Sequence, residues 1–246
     1  MLKKKKLEVI HNWYPNAITT IDAFNKVISY FEDELEIDPS TVMFADSICS
    51  DDVNSIQYPI RAEEFLGPFK LGGLSGFPFA GLTGMGAFAS HIPDEGGVFI
   101  YYGPHVGISK KGEIGHINRV GQSHSTTCCG ATISAIENLE KNNIVEGRME
   151  DMDYQMNTIE QIVLSDRDTI LQAKNKIFEA TEVLYQAIDK RIEELVKRTN
   201  YNCHYIVLMG AILINGDSDM GSFTSIRRLE LIDLNLGKKK DLIHII

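Results

Sequence analysis

Within HYIVLMGAILING (204–216), the run Tyr205 to Met209 is short, apolar at every position and partly β-branched. A strand of that kind is covered on both faces, so it belongs in the middle of a sheet with other elements packed above and below it. The whole stretch reads as one strand or a strand pair. Two earlier segments, TVMFA (41–45) and GVFIYY (97–102), have the same character, and Phe223 to Leu234 adds a last strand. Helical spacing fills the intervals. Ile21, Phe24, Val27, Ile28 and Phe31 share one face over Thr19–Leu35, CCGATISAIENLE (128–140) opens a helix with Ile133, Ile136 and Leu139 aligned, and Glu160–Val196 is expected to be mostly helical. Apolar strands interleaved with helices predict an α/β fold, a mostly parallel sheet flanked by helices. No Pro/Gly/Ser linker divides the 246 residues, so one domain is expected over 1–246, with helical segments at 1–40 and 160–198.

Composition narrows the function. With 34 acidic against 24 basic residues the formal charge is -10, which argues against a nucleic-acid surface. The basic runs Lys3–Lys6, Lys110-Lys111 and Lys238–Lys240 read as solvated termini and a turn. Nowhere are there 18 consecutive apolar residues, and the N-terminus lacks a signal-peptide core, so a cytoplasmic protein without membrane association is expected. Four cysteines, two of them adjacent, do not make a disulfide framework; reduced thiols or metal thiolates fit better. The glycine-rich run Gly67–Pro93 shows no regular pattern and reads as tightly folded backbone able to line a pocket, and neither GxxxxGK[ST] nor a strand-to-helix GxGxxG occurs.

In a mostly parallel sheet, ligands collect beyond the carboxyl ends of the strands. Cys49, His105 and Cys129 all fall just after predicted strands or at a helix start. Two thiolates and an imidazole form a soft donor set suited to zinc, with a fourth position left for water. The residues alone also allow His105 as a packed strand-end histidine and Cys49 as a small buried hydrophobe. Cys129 precedes Gly-Ala at a helix start, where backbone N–H groups favour a thiolate, and Cys128 is expected to face the core. Asp51 can orient a water, ligate the metal or cap a helix; Arg119 is its first candidate partner and Arg61 its second. His91 and His124 are rival ligands or hydrogen-bonded loop residues.

The run GLSGFPFAGLTGMGAFASHIPDEGGVFIYYGPHVGIS (73–109), with CSDDVN before it and NRVGQ and CCGA after it, resembles the limiting-CO2-inducible B/C protein family, related to the theta-type carbonic anhydrases. The resemblance implies a beta-carbonic-anhydrase-like fold, a homodimer, and one zinc held by Cys, His and Cys beside an Asp/Arg pair. Carried over, these are Cys49, His105 and Cys129, with Asp51 as the catalytic carboxylate. Val53 stands where the beta class has its arginine, so the arginine comes from elsewhere, and Arg119 is the expected one. Residues 106–128 intervene between the last two ligands, which the beta class places close together. The implied activity is reversible hydration of carbon dioxide to bicarbonate. The alternative is a zinc-stabilised, non-catalytic interaction or regulatory protein in inorganic-carbon handling. Deaminase chemistry is disfavoured, since H-x-E and P-C-x-x-C are both missing.

Overall fold

Alternate side chains of the central strands enter two separate apolar cores, which is why those strands show no polar face. The computed structural model describes residues 2–54 and 58–246, with side chains from Lys6 onward. Ser55, at the end of the polar run after the first apolar strand, and the side chains of Lys3–Lys5 lie outside the described residues. The strands are β1 (Ile18–Thr19), β2 (Val42–Ser47), β3 (Leu66–Lys70), β4 (Gly97–Tyr102), β5 (His105–Ile108), β6 (His116–Ile117), β7 (Thr126–Thr127), β8 (Tyr205–Gly216), β9 (Ser222–Asp233) and β10 (Lys238–Asp241). The helices are α1 (Leu2–His11), α2 (Thr20–Asp33), α3 (Gly81–Ala89), α4 (Gly130–Glu140), α5 (Tyr154–Ser165), α6 (Arg167–Gln172) and α7 (Lys176–Lys197).

The main sheet runs β1-β9-β8-β4-β2-β3, with β5 beside the second half of β8 and β10 beside the end of β9. Strands β3, β2, β4, β5 and β8 are mutually parallel, whereas β9 is antiparallel to β8, and β1 and β10 are antiparallel to β9. The fold is therefore α/β with a mostly parallel sheet flanked by helices. Phe99 and Tyr101 of β4 and Val207 and Met209 of β8 join the core under α2, where Phe24 meets Phe44, Phe99 and Tyr101 edge-on. Val98, Ile100, Ile206 and Leu208 face the larger core beneath α3, α4, α5 and α7. Among the described residues no helix is long and apolar enough to cross a membrane.

The helical stretch expected over Glu160–Val196 begins earlier, at Tyr154, and is broken twice. Asp166 leaves helical dihedrals (φ -112, ψ 27), Ala173 is extended (φ -64, ψ 144), and Asn175 caps α7 by accepting from the Phe178 N–H at 2.9 Å. Apolar spacing does not register the breaks, because Val163, Ile170 and Ala180 enter the same core on either side of them. The stretch 204–216 is one strand from Tyr205 onward, paired first with β4 and then with β5. The glycine-rich run is more regular than expected and contains most of β3 and all of α3. Lys238–Lys240 forms an exposed edge strand, where lysines discourage further pairing.

Strands β4 and β5 hold one register against β8, Tyr102 opposite Gly210 and His105 opposite Leu213, across a two-residue break at Gly103-Pro104. Gly103 has φ +149, and a Cβ there would lie 1.7 Å from the Ala211 carbonyl oxygen. Only glycine fits. Gly103→Ala is expected to lower stability by at least about 2 kcal/mol in chemical denaturation. Gly86→Ala, where a Cβ on α3 meets nothing within 4 Å, is expected to be neutral or to stabilise by up to about 1 kcal/mol.

Candidate metal centre

Strand ends supply the first two groups. Cys49 follows β2 after Ile48, and His105 opens β5 beyond the Gly103 break; the strand edges are stitched by Gly103 N–H donating to the Ser47 carbonyl at 3.1 Å. The third group returns from residues 106–128 by backbone contacts. Gly107 N–H donates to the Cys128 carbonyl at 2.7 Å and Cys128 N–H to the Gly115 carbonyl at 2.9 Å. A Cβ on Gly107 would sit 2.8 Å from that of Cys128, so glycine allows the approach. Cys129 is then the N-cap residue of α4.

Cys49, His105 and Cys129 bring one sulfur, one nitrogen and one sulfur within 4.8 Å of one another, and their exposures are 4%, 1% and 3%. The two sulfurs are 3.9 Å apart. His105 Nε2 is buried without a hydrogen-bond partner, whereas Nδ1 lies 2.7 Å from Asn215 Oδ1. A buried ring nitrogen left open between two sulfurs is what a metal ligand looks like before the metal is considered, so the donor set fits a soft ion such as zinc.

A second set, Asp51, His105 and Cys128, meets the same distance limit. It is the weaker one. Cys128 approaches Nδ1 at 3.5 Å, the edge facing Asn215, and both Asp51 oxygens are taken by Arg119. Cys128 does not enter either apolar core as expected; it packs against the far edge of His105. The helical divergence of neighbouring side chains does not apply, because Cys129 is extended (φ -80, ψ 132) and α4 starts only at Gly130.

The cluster holds its protons unequally. Cys129 is held well below the usual thiol range, first by the hydrogen bond from Cys49, against burial, and further by His105 and the Thr132 N–H. Cys49 is pushed up by donating to Cys129 and by burial. Burial opposes a charged His105, but the sulfurs of Cys129 and Cys128 outweigh it and raise its pKa well above the ordinary value. A metal taken up here displaces protons from the cluster.

Asp51 lies 4.0 Å from His105 Nε2 through Oδ2. Arg119 grips it in a fork, Nη1 donating to Oδ1 at 3.0 Å and Nη2 to Oδ2 at 2.9 Å, while Nη1 also reaches Asp52 and Nε donates to Thr126 Oγ1. Arg61 pairs instead with Glu32 and Glu64, and His91 and His124 are exposed and outside both metal sets. Three buried groups were not singled out in the sequence. Ser75, left-handed at φ 53, places its hydroxyl 3.6 Å from Cys129 Sγ and 3.0 Å from Thr132 Oγ1. Asn54 donates to the Cys49 carbonyl at 3.3 Å, and Asn215 touches His105. Asn215 had a readable signal, being the first polar side chain after a long apolar strand; Ser75 had only its flanking glycines.

The profile of the family described as "Limiting CO2-inducible proteins B/C beta carbonyic anhydrases" matches residues 18–233. The chain belongs to that family. The crystal structure of PtLCIB4, a homolog of the limiting CO2-inducible protein LCIB, is similar with 26% identity and a TM-score of 0.81, over 96% of this chain and 98% of that one. A histidine-to-alanine mutant of PtLCIB4 superposes with 26% identity and a TM-score of 0.83, over 97% and 99%. LCIB itself, at 16% identity and a TM-score of 0.72 over 94% and 96%, shares the fold. No curated protein matches the chain.

For Asp51, burial is the largest single influence and raises the pKa, but the Arg119 fork, Asp52, the charge of His105 and the Val53 N–H together outweigh it, so the carboxyl sits below its usual value. Carbonyl-carbon NMR titration is expected to find Asp51 ionised below the ordinary carboxylate range in the parent. In Arg119→Met, with burial less opposed, the titration moves up.

Proposed function

We propose that this chain is a zinc-dependent carbonic anhydrase that hydrates carbon dioxide reversibly to bicarbonate. The observation that carries the reading is the division of labour at the site: Cys49, His105 and Cys129 converge with Nε2 open, while Asp51 stands beside them with both oxygens held by Arg119. Family membership supports the same chemistry. Zinc, when bound, supplies a Lewis acid that makes water nucleophilic near neutral pH. Asp51, kept ionised, is placed to accept a hydrogen bond from the attacking water and aim its lone pair at carbon. Arg119 fixes the carboxylate in that orientation, and burial of the cluster keeps bulk water from competing. Residues beyond Gly76 contribute less lining than the sequence implied, since Phe77 and Phe88 are buried in the larger core; Ser75 is the part of that run that touches Cys129.

A second reading has its own observation. Asp51 is close enough to His105 that rotation out of the Arg119 fork would let it complete a four-ligand set, leaving a zinc-stabilised interaction or regulatory protein. A cytoplasmic setting suits either reading, the four cysteines being unpaired. The proposal extends to a homodimer; sedimentation at micromolar concentration showing only 27.5 kDa would count against it.

Elemental analysis should find one zinc per chain in the parent and in Cys128→Ala, and none in Cys49→Ala or Cys129→Ala. Asp51→Asn should keep its zinc while carbon dioxide hydration in stopped flow falls about 100-fold or more. An Asp51→Asn protein as active as the parent removes Asp51 from the chemistry. A fully zinc-loaded parent that is inactive from neutral to mildly alkaline pH favours the interaction protein.

A further inference from the structure

A histidine that binds a metal through Nε2 needs its proton on Nδ1, and something must keep it there. The candidate is a buried chain of amide groups whose polarity is set by backbone. Asn54 donates its side-chain NH2 to the Cys49 carbonyl at 3.3 Å, which leaves its Oδ1 on the side of Asn215. Asn215 donates to that Oδ1 at 3.2 Å and to the Val53 carbonyl at 3.4 Å. A backbone carbonyl only accepts, so the NH2 of Asn215 must face this way and its Oδ1 must face His105. The 2.7 Å contact is then Nδ1–H donating to Asn215, and when the ring gives up a proton to take a metal it is Nε2, the atom that has no partner, that is left with the lone pair.

We infer that Asn215 is a positioning residue for the metal centre, holding His105 in the tautomer and orientation that offer Nε2 to a metal shared with Cys49 and Cys129. The inference rests on the metal reading above and adds a residue to it. Asn215 is 4% exposed and lies near the end of β8, next to the strand that carries His105, so one side chain ties the histidine to the loop bearing Cys49 and Asp51. Cys128 cannot supply the same constraint as well. Its sulfur is 3.5 Å from Nδ1 and 3.7 Å from Asn215 Oδ1, a weaker and less directional partner for the ring.

Asn215→Leu removes the acceptor at nearly constant shape, and Asn215→Asp keeps it. Zinc affinity is read by competition with a chromophoric chelator, and thermal denaturation of each metal-free protein checks the fold. Asn215→Leu is expected to bind zinc about 10- to 100-fold more weakly, and Asn215→Asp to recover most of that loss. In the zinc-loaded parent, nitrogen-15 NMR of the His105 ring should show Nδ1 protonated and Nε2 metal-bound. Equal zinc affinity in the parent and a folded Asn215→Leu overturns the inference and leaves the metal reading standing. If Asn215→Leu does not fold, a His105 ring protonated on Nε2 in the parent, or an Asn215→Asp protein as weak as a full loss of the contact, overturns it instead. A parent that takes up no zinc at all overturns both.

Discussion

Two parallel strands, β2 and β4, end level at Ser47 and Tyr102, beside Gly210 midway along β8, and the chemistry hangs from that edge. Parallel strands put their carboxyl ends on one side, so the residues that follow them converge without any long-range pairing between the chemical groups themselves. Cys49 comes two residues after Ser47, His105 three after Tyr102 and Asn215 five after Gly210. A slip in register along β4 or β8 would move the histidine away from both the cysteine and the amide. What prevents the slip is apolar: odd and even residues of these strands fill different cores, and a shift by one would exchange them.

Close backbone approach is the second constraint. Gly76 and Gly72 press against the strand ends so tightly that a Cβ would sit 2.2 Å from the Gly103 oxygen in one case and 2.4 Å from the Ile48 oxygen in the other. Ser47 Oγ donates to the Gly76 carbonyl at 2.9 Å, binding the glycine loop to β2. That approach brings Ser75 to Cys129. The glycines thus act less as a pocket wall than as a means of laying one stretch of backbone across the end of the sheet.

Buried polar groups are costly unless paired, and the cluster is buried almost completely. Its pairing is layered: Arg119 answers Asp51, Asn54 and Asn215 answer the backbone and His105, and Ser75 and Thr132 stand at Cys129. The excursion between His105 and Cys129 does two jobs within this scheme. Its short β6–β7 hairpin returns Cys129 to the sheet edge, and the same loop carries Arg119 across to Asp51.

The sequence by itself determined the α/β class, because strands apolar at every position must be covered on both faces, and it marked Cys49, His105 and Cys129 as polar or reactive residues placed where such strands end. Helix interruptions escaped it, since Asp166 and Ala173–Asn175 do not disturb the apolar stripe that periodicity detects. So did the partner of Asp51: with Val53 in the position of a local arginine, only the folded path of residues 106–128 decides that Arg119, and not Arg61, reaches the carboxylate. Which edge of His105 faces the cysteines was likewise a tertiary matter. Hydrogen-bond polarity runs from backbone carbonyls through Asn54 and Asn215 to the ring, and those groups meet only when β5, β8 and the loop after β2 are packed together.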